Sequence, residues 1–423
     1  MAIFPTDRRM PGMDVALHAD AIAGLFDESF GDITVRECHP YYVRYKPERY
    51  AQVQYRLECE GADGRTVPVT AHLALYPPAR AAKLAARYGA ARGRADSNEQ
   101  AVYVDRIDGL AQLFPTDVGL PGLRTAASPE AMGRRFQRHL AHAFGGDVRG
   151  CRVELVRYKA QKRAVLKFDV AGLAPETVYG KLRNDGAGRL HRIGAAMRRS
   201  GVPTPRTLAW WADLGMVIQA SGEGARLADL RDTDDYLRWM PEVADALASL
   251  HLSRVEGLPR YSPDDEVRDL QDTAAIIGSV LPSMEAFATE LCRRLAALLC
   301  ARDGNVTTTH GSFHDDQVLV GDAGVEFIDT DGAIVGPPHS DVGLFLSYLS
   351  AEGCEAGYRL FLDRYLSVGV SSGTEYLLFE AASLLRWATL PFRELRRDWP
   401  EQVEGRVLGA AARLRDYERN RTT

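Results

Sequence analysis

The chain lacks any cysteine pair of the kind that holds zinc or staples a small secreted domain. Its six cysteines, Cys38, Cys59, Cys151, Cys292, Cys300 and Cys354, lie far apart without a CxxC spacing, and read as reduced thiols. It also lacks a basic excess. Its 52 Lys and Arg against 57 Asp and Glu give a formal net charge of -5, which argues against a nucleic-acid partner. No apolar run is long enough to cross a bilayer, and the opening "MAIFPTDRRMPGMD" has no apolar core of signal-peptide length. A soluble, cytoplasmic protein without a membrane partner is expected. No low-complexity linker divides the chain. At 423 residues, 46% hydrophobic and 26% charged, it has room for two or three domains and a sizeable core.

A repeat fills the first half. "FPTDRRMPGM" begins at Phe4 and "FPTDVGLPGL" at Phe114; "VRYKPERYAQVQYRL" follows from Val43 and "VRYKAQKRAVLKFDV" from Val156. The two words recur in the same order, offset by 110 and 113 residues, which points to a duplicated unit. In the second copy "CRVELVRYK", "RAVLKFDV" and "TVYGKLR" alternate β-branched or aromatic residues with polar ones and predict three strands. The helical "GRLHRIGAAMRR" follows, then "TLAWWAD" and the apolar "MVIQAS". The first copy gives "YYVRYK", "AQVQYRLEC", "PVTAHLALY" and the Ala-rich helix "ARAAKLAARYGAA". Overlaying the third strands sets Lys181 against Ala74, so the first copy reads as a scaffold without the cation.

From Leu227 the apolar residues recur at helical spacing in "LADLRDTDDYLRWMPEVADALASLHL", "MEAFATELCRRLAALL", "VGLFLSYLSAEGCEAGYRLFLDRYL" and "EYLLFEAASLLRWATL". Only "VTTTH", "QVLV" and "VEFIDT" interrupt them. A sheet-rich first part and a helical second part predict an α+β protein with its site between lobes.

The chemistry concentrates in "HGSFHDDQVLVGDAGVEFIDTDGAIVGPPHSDVG", His310 to Gly343. Two strands joined by a tight turn would set the Gln317 amide oxygen beside the Asp329 carboxylate, hard oxygen donors suited to Mg²⁺ on a substrate phosphate. An acidic surface hairpin without ligand is the plainer alternative.

This stretch resembles the catalytic and metal loops of the aminoglycoside/choline phosphotransferase-like family, relatives of the protein kinases. His310-Gly311-Ser312, Gln317, Ile328-Asp329 and "GPPHSDVG" with Asp341 stand where that family reads His-Gly-Asp, Asn, Ile-Asp and a Gly-Pro-x-x-Asp helix start. "DALASLHLSRVEGLP" is similar to the segment upstream, and the likeness covers roughly residues 150–395. The resemblance implies a bilobal kinase-like fold: residues 1–110 as a cap repeating the small-lobe unit, 111–222 as the small lobe and 223–423 as the large lobe. It implies ATP and Mg²⁺ as cofactors, Asp329 and Gln317 as metal ligands, and His310 and Asp341 as braces of the loop. Lys181 would contact nucleotide phosphates, with Lys167 its competitor, and the backbone around Gln219 and Ser221 would meet the adenine edge.

Two departures stand out. Ser312 replaces the acid that orients the acceptor hydroxyl, and a serine has no useful basicity near neutral pH. The helix after Lys181 offers Arg189 and His191 but no glutamate. His314, Asp315 and Asp316 on the same loop are candidates for the missing role, or form a solvated acidic turn; an acceptor already ionised would need no base. Arg386, Arg393, Arg396 and Arg397 either line an anionic acceptor pocket or form a solvated helix face. His251 reads as a packing or capping residue. The expected function is an ATP-dependent phosphotransferase acting on a hydroxyl of a small metabolite or natural product such as a sugar or aminoglycoside, with a peptide acceptor also compatible. In that reading residues 1–110 would cap the small lobe or form a homodimer surface. The alternative is a pseudokinase that binds nucleotide or ligand and serves as a scaffold or partner subunit.

Overall fold

The computed structural model describes residues 5–60, 64–96, 100–142, 146–185, 187–302, 304–370 and 373–422. Phe4, the first letter of the repeated word, lies outside them. The fold is α+β, with sheets in the first half and helices in the second.

The first sheet has six strands. Thr34–Lys46, Tyr50–Glu60 and Thr66–Leu75 run antiparallel and are followed in the sheet by Gly109–Leu113. The helix Pro78–Tyr88 intervenes in the chain. The second sheet has five strands. Gly150–Lys159, Arg163–Ala171 and Thr177–Arg183 are antiparallel, with Met216–Ala220 pairing next and Thr207–Trp211 at the edge. Here the helix Ala187–Arg199 follows the third strand. Alternation explains the strands: from Thr177 to Arg183 every second residue is buried, as a half-buried pleated strand requires.

Corresponding positions make the same contacts. Buried Asp7 accepts from the Tyr45 hydroxyl at 2.9 Å and from the backbone N–H groups of Glu48 at 2.8 Å and Arg9 at 2.9 Å. Buried Asp117 accepts from the Tyr158 hydroxyl and from the N–H groups of Gln161 and Gly119, each at 2.7 Å. Glu48 and Gln161 both take the left-handed conformation, at φ 58° and 59°, each in the tight turn between two strands, where its N–H donates to the aspartate. A Cβ on Gly12 would lie 2.7 Å from the Ile107 carbonyl oxygen, and one on Gly122 would lie 2.3 Å from that of Leu214; both positions require glycine. Ala74 stands opposite Gln52 and Leu110, while Lys181 stands opposite Val165 and Val217.

The first sheet does not stand alone. Its core residues, among them Val53, Tyr55 and Leu73, form one cluster with Leu270 and Ile277, with Leu291 and Leu295, and with Leu378, Val407 and Leu414 of the helical part. The helices Pro263–Val280, Glu285–Cys300, Glu375–Arg386 and Trp399–Thr422 supply that far side. A second core around Phe313, Phe327, Phe345 and Phe361 packs beneath the loop that follows His310. The run 342–366, whose apolar residues keep helical spacing throughout, forms two helices: Pro338–Ala351 and Glu355–Ser367. Gly353 at φ 70° breaks it, since a left-handed residue ends a helix. Among the described residues no helix is long and apolar enough to cross a membrane.

The recurring aspartate predicts equal costs in both units. Hydrogen bonds to a charged acceptor contribute about 1.5–3 kcal/mol each, and water replaces part of the loss, so Asp7→Ala and Asp117→Ala should each destabilise by about 3 kcal/mol. Urea unfolding of the two variants measures this; a loss below about 1 kcal/mol at either position, within the range of ordinary surface changes, contradicts it.

Candidate active site

The site is built where the second sheet meets the helical part. A short hairpin, Val318–Gly321 with Gly324–Phe327, pairs Val318 with Phe327. The Ile328 N–H donates to the Gln317 carbonyl at 2.9 Å, so Gln317 and Asp329 flank the hairpin's open end. Asp329 has φ 58°, and both residues line a cleft of about 460 Å³. The Gln317 Oε1 atom is buried without a partner.

Lys181, on the third strand of the second sheet, reaches across. Its Nζ lies 2.5 Å from Asp329 Oδ1 and 3.4 Å from Asp331 Oδ1, with only 12% of the side chain exposed. Burial alone would lower the lysine's pKa, but the two carboxylates outweigh it and the net shift is upward. For Asp329 burial pushes the pKa up, and Lys181, then Arg163 and Arg157, hold it well below the usual range. Lys167 instead lies 3.7 Å from Asp169 and 3.9 Å from Glu154 and takes no part in the cleft lining. The helix Ala187–Arg199 offers no acid; Arg189 lines the cleft and His191 stacks on Trp210 with ring centroids 6.2 Å apart.

The loop from His310 is held from below. Asp341, on the first turn of its helix, accepts from the His310 N–H at 2.6 Å and the Gly311 N–H at 2.9 Å, and lies 3.2 Å from His251 Nε2. His251 is buried, with its Nδ1 2.6 Å from the Tyr365 hydroxyl. His310 Nε2 sits 3.0 Å from the Ile328 carbonyl, and burial lowers its pKa. Gly311 has φ 75°, and a Cβ there would lie 2.1 Å from the Gly332 carbonyl oxygen. Phe313, fully buried, pins the loop into the aromatic core 5.1 Å from Phe345.

The three candidate groups between Phe313 and Gln317 differ in environment. Asp315 is buried and accepts from Arg231 at 2.6 and 2.7 Å and from the Tyr236 hydroxyl at 3.0 Å, so its lone pairs are committed. Asp316 lines the cleft with 41% of its side chain exposed, 3.7 Å from Arg226. His314 stacks on Tyr348 at 4.6 Å, and burial pushes its pKa down to about 4 despite Asp316 and Asp315. Ser312 lines the cleft. Gln219 and Ser221 do not; Gln219 pairs with Tyr179 and Thr207 in the sheet, and the Ser221 hydroxyl donates to the Gly222 carbonyl at 3.1 Å.

Residues 152–377 match the phosphotransferase enzyme family, and they make up more than half of the 423-residue chain. The chain belongs to that family. Membership supports an ATP-dependent phosphotransferase, and with it the kinase-like fold class. Similar solved structures include choline kinase from Cryptosporidium parvum, 13% identical with a TM-score of 0.50 over 68% of this chain and 95% of that one. A choline/ethanolamine kinase family protein from Mesorhizobium loti is 15% identical, with a TM-score of 0.49 over 67% and 94%. A thermostable mutant of aminoglycoside phosphotransferase APH(4)-Ia is 16% identical, with a TM-score of 0.49 over 66% and 98%. At 13% identity the likeness to the Cryptosporidium parvum choline kinase concerns the fold alone. No curated protein matches the sequence.

Sequence reasoning missed Arg231 and Tyr236, which sequester Asp315, and the hairpin cations Arg157, Lys159 and Arg163, which line the cleft. The word "VRYK" contained two of these, but as a repeat rather than as a charge. Of the four C-terminal arginines, Arg393 and Arg396 line the cleft, whereas Arg386 lies 3.3 Å from Glu266 and Arg397 is an exposed residue outside the lining.

Commitment of Asp315 to Arg231 and Tyr236 gives it a structural signature. Asp315→Ala should lower stability by about 2 kcal/mol or more, because it strands a guanidinium and a buried hydroxyl. Chemical unfolding reads the loss; an unfolding midpoint equal to that of the parent chain contradicts the assignment.

Proposed function

We propose that the chain transfers the γ-phosphoryl group of ATP, in the presence of Mg²⁺, to a hydroxyl of a small molecule bound in the cleft. The observation that carries this reading is the buried Lys181–Asp329 pair beside the unpartnered Gln317 Oε1. An ammonium has three donors; two point at Asp329 and Asp331, which leaves one for a phosphate oxygen. The donor set fits magnesium. Mg²⁺ takes one or two protein oxygens and completes its shell with waters and substrate phosphates. Asp329 and Gln317 would hold it, and the bound ion would neutralise charge on the phosphates.

Phosphoryl transfer has a loose transition state, so positioning and charge neutralisation carry most of the catalysis. That requirement falls on the rigid loop between His310 and Gln317. Asp316 is the carboxylate of that loop that faces the cleft, and in this reading it orients the acceptor hydroxyl in place of the acid missing at Ser312. Residues 1–110 form a cap in this account, a second copy of the small-lobe unit with Ala74 where Lys181 stands. The recurring Asp7 and Asp117 contacts support it.

A second reading is favoured by Ser312 itself: a chain that binds nucleotide and partners without turnover. Titration calorimetry and a coupled ADP assay separate the two. ATP should bind more tightly with Mg²⁺, and Asp329→Ala should abolish the metal-dependent part. Asp316→Asn should cut turnover by about 10²–10⁴-fold, the range of general acid–base assistance. Equal ATP affinity with and without Mg²⁺ removes the kinase reading; tight Mg·ATP binding without ADP release under any acceptor favours the scaffold.

A further inference from the structure

The identity of the acceptor follows from the charge of the cleft, given the phosphotransferase reading on which this inference rests. Arg157, Lys159 and Arg163 line the hairpin side, and Arg393 and Arg406 the helical side. None of these five forms an ion pair among the described residues, whereas Arg183, Arg231 and Arg396 in the same lining are matched by Asp185, Asp315 and Glu394. Arg393 donates to the Tyr42 hydroxyl and lies 5.5 Å over that ring. Arg406 donates to the Trp387 carbonyl at 3.0 Å. Burial, then Arg163, Arg157, Arg393 and Lys162, push the Lys159 pKa down to about 6. Arg157 and Arg163 feel Asp329, and Arg406 feels Glu352 and Glu394, from beyond ion-pair distance, so the cations are only partly compensated and a bound anion offsets the repulsion among them.

Two buried atoms in the lining point the same way. Arg163 Nε and Trp387 Nε1 have no hydrogen-bond partner. Both groups only donate, so each calls for an acceptor oxygen, which a carboxylate or phosphate supplies in plenty. Mg·ATP accounts for one side of the cleft, along Lys181, Asp329 and the hairpin. Trp387 and Arg406 belong to the other wall: His314 of the loop stacks on Tyr348, and Tyr348 lies 6.2 Å from Trp387.

We propose that the acceptor carries a carboxylate or phosphate monoester group, held by Arg393 and Arg406 with Trp387 Nε1 as a further donor, while its hydroxyl reaches the loop at Ser312–Asp316. A compound whose only charge is an ammonium meets this wall with the wrong sign.

The test uses the full chain saturated with Mg²⁺ and a non-hydrolysable ATP analogue, so that the nucleotide's own phosphate positions are filled. Inorganic phosphate and acetate are then titrated by calorimetry. At least one should bind, and the double variant Arg393→Gln, Arg406→Gln should weaken it about tenfold or more, as expected for lost charge-assisted hydrogen bonds, with analogue affinity unchanged. Arg406 also supports the Trp387 carbonyl, so Trp387→Phe serves as the milder variant, removing Nε1 with the five-membered ring while keeping an aromatic side chain and both arginines, and should weaken the anion several-fold. Acetate affected in this way assigns a carboxylate; phosphate alone assigns a phosphate group. Binding of neither anion to the parent complex, or binding unchanged in both variants, overturns the proposal. Failure of the analogue itself to bind strikes the phosphotransferase reading instead.

Discussion

The ion pair between Lys181 and Asp329 joins the two halves of the molecule, and the rest of the site is arranged around it. One partner hangs from a strand of the second sheet and the other ends a hairpin of the helical part. Desolvating two charges is expensive, and a buried pair adds stability only with good geometry and further hydrogen bonds. Here those come from Asp331, which also lies 3.3 Å from Arg183. A pair of this kind is better suited to fixing position than to adding stability. It sets where a phosphate would lie relative to the loop below.

The additional sheet unit contributes to the same end from above. The Gln52 side-chain amide donates to Gln161 Oε1 at 2.8 Å, the Tyr76 hydroxyl donates to the same oxygen at 2.9 Å, and the Gln54 amide donates to the Tyr158 carbonyl at 3.3 Å. The tip of the hairpin that carries Arg157, Lys159 and Arg163 is thereby tied to the first sheet. That sheet in turn shares its core with the rear helices and bonds to them through Lys46 with Asp272 and Tyr42 with Arg393. A hairpin whose outer strand is the edge of its sheet is anchored at its tip. Order in that hairpin lowers the entropy to be lost when an anionic ligand binds.

The strands of both sheets were legible because alternation of apolar and polar residues is a local signal. So was the turn that sets Gln317 beside Asp329, since two short strands around Gly321–Gly324 leave one register. Long-range partners were not. Asp315 and Asp316 are identical in sequence terms; what separates them is Arg231, 84 residues earlier, and no local pattern announces that pairing. The basic wall was half hidden: the C-terminal arginines were visible as a cluster, but nothing local joined them to the hairpin cations near 160 or to Arg406. Arg393 and Arg397 could not be told apart until the helix phase was known. The helix break at Gly353 was visible as a glycine but was overridden by a continuous apolar pattern on both sides.

The central claim is that the open end of the Gln317–Asp329 hairpin is a metal–phosphate site. A crystal structure with Mn²⁺ and a non-hydrolysable ATP analogue, using anomalous scattering to locate the metal, tests it most directly. The account predicts an anomalous peak bonded to an Asp329 carboxylate oxygen and to Gln317 Oε1, with Lys181 Nζ on a phosphate oxygen. Nucleotide bound elsewhere, or metal that touches neither Asp329 nor Gln317, would contradict it.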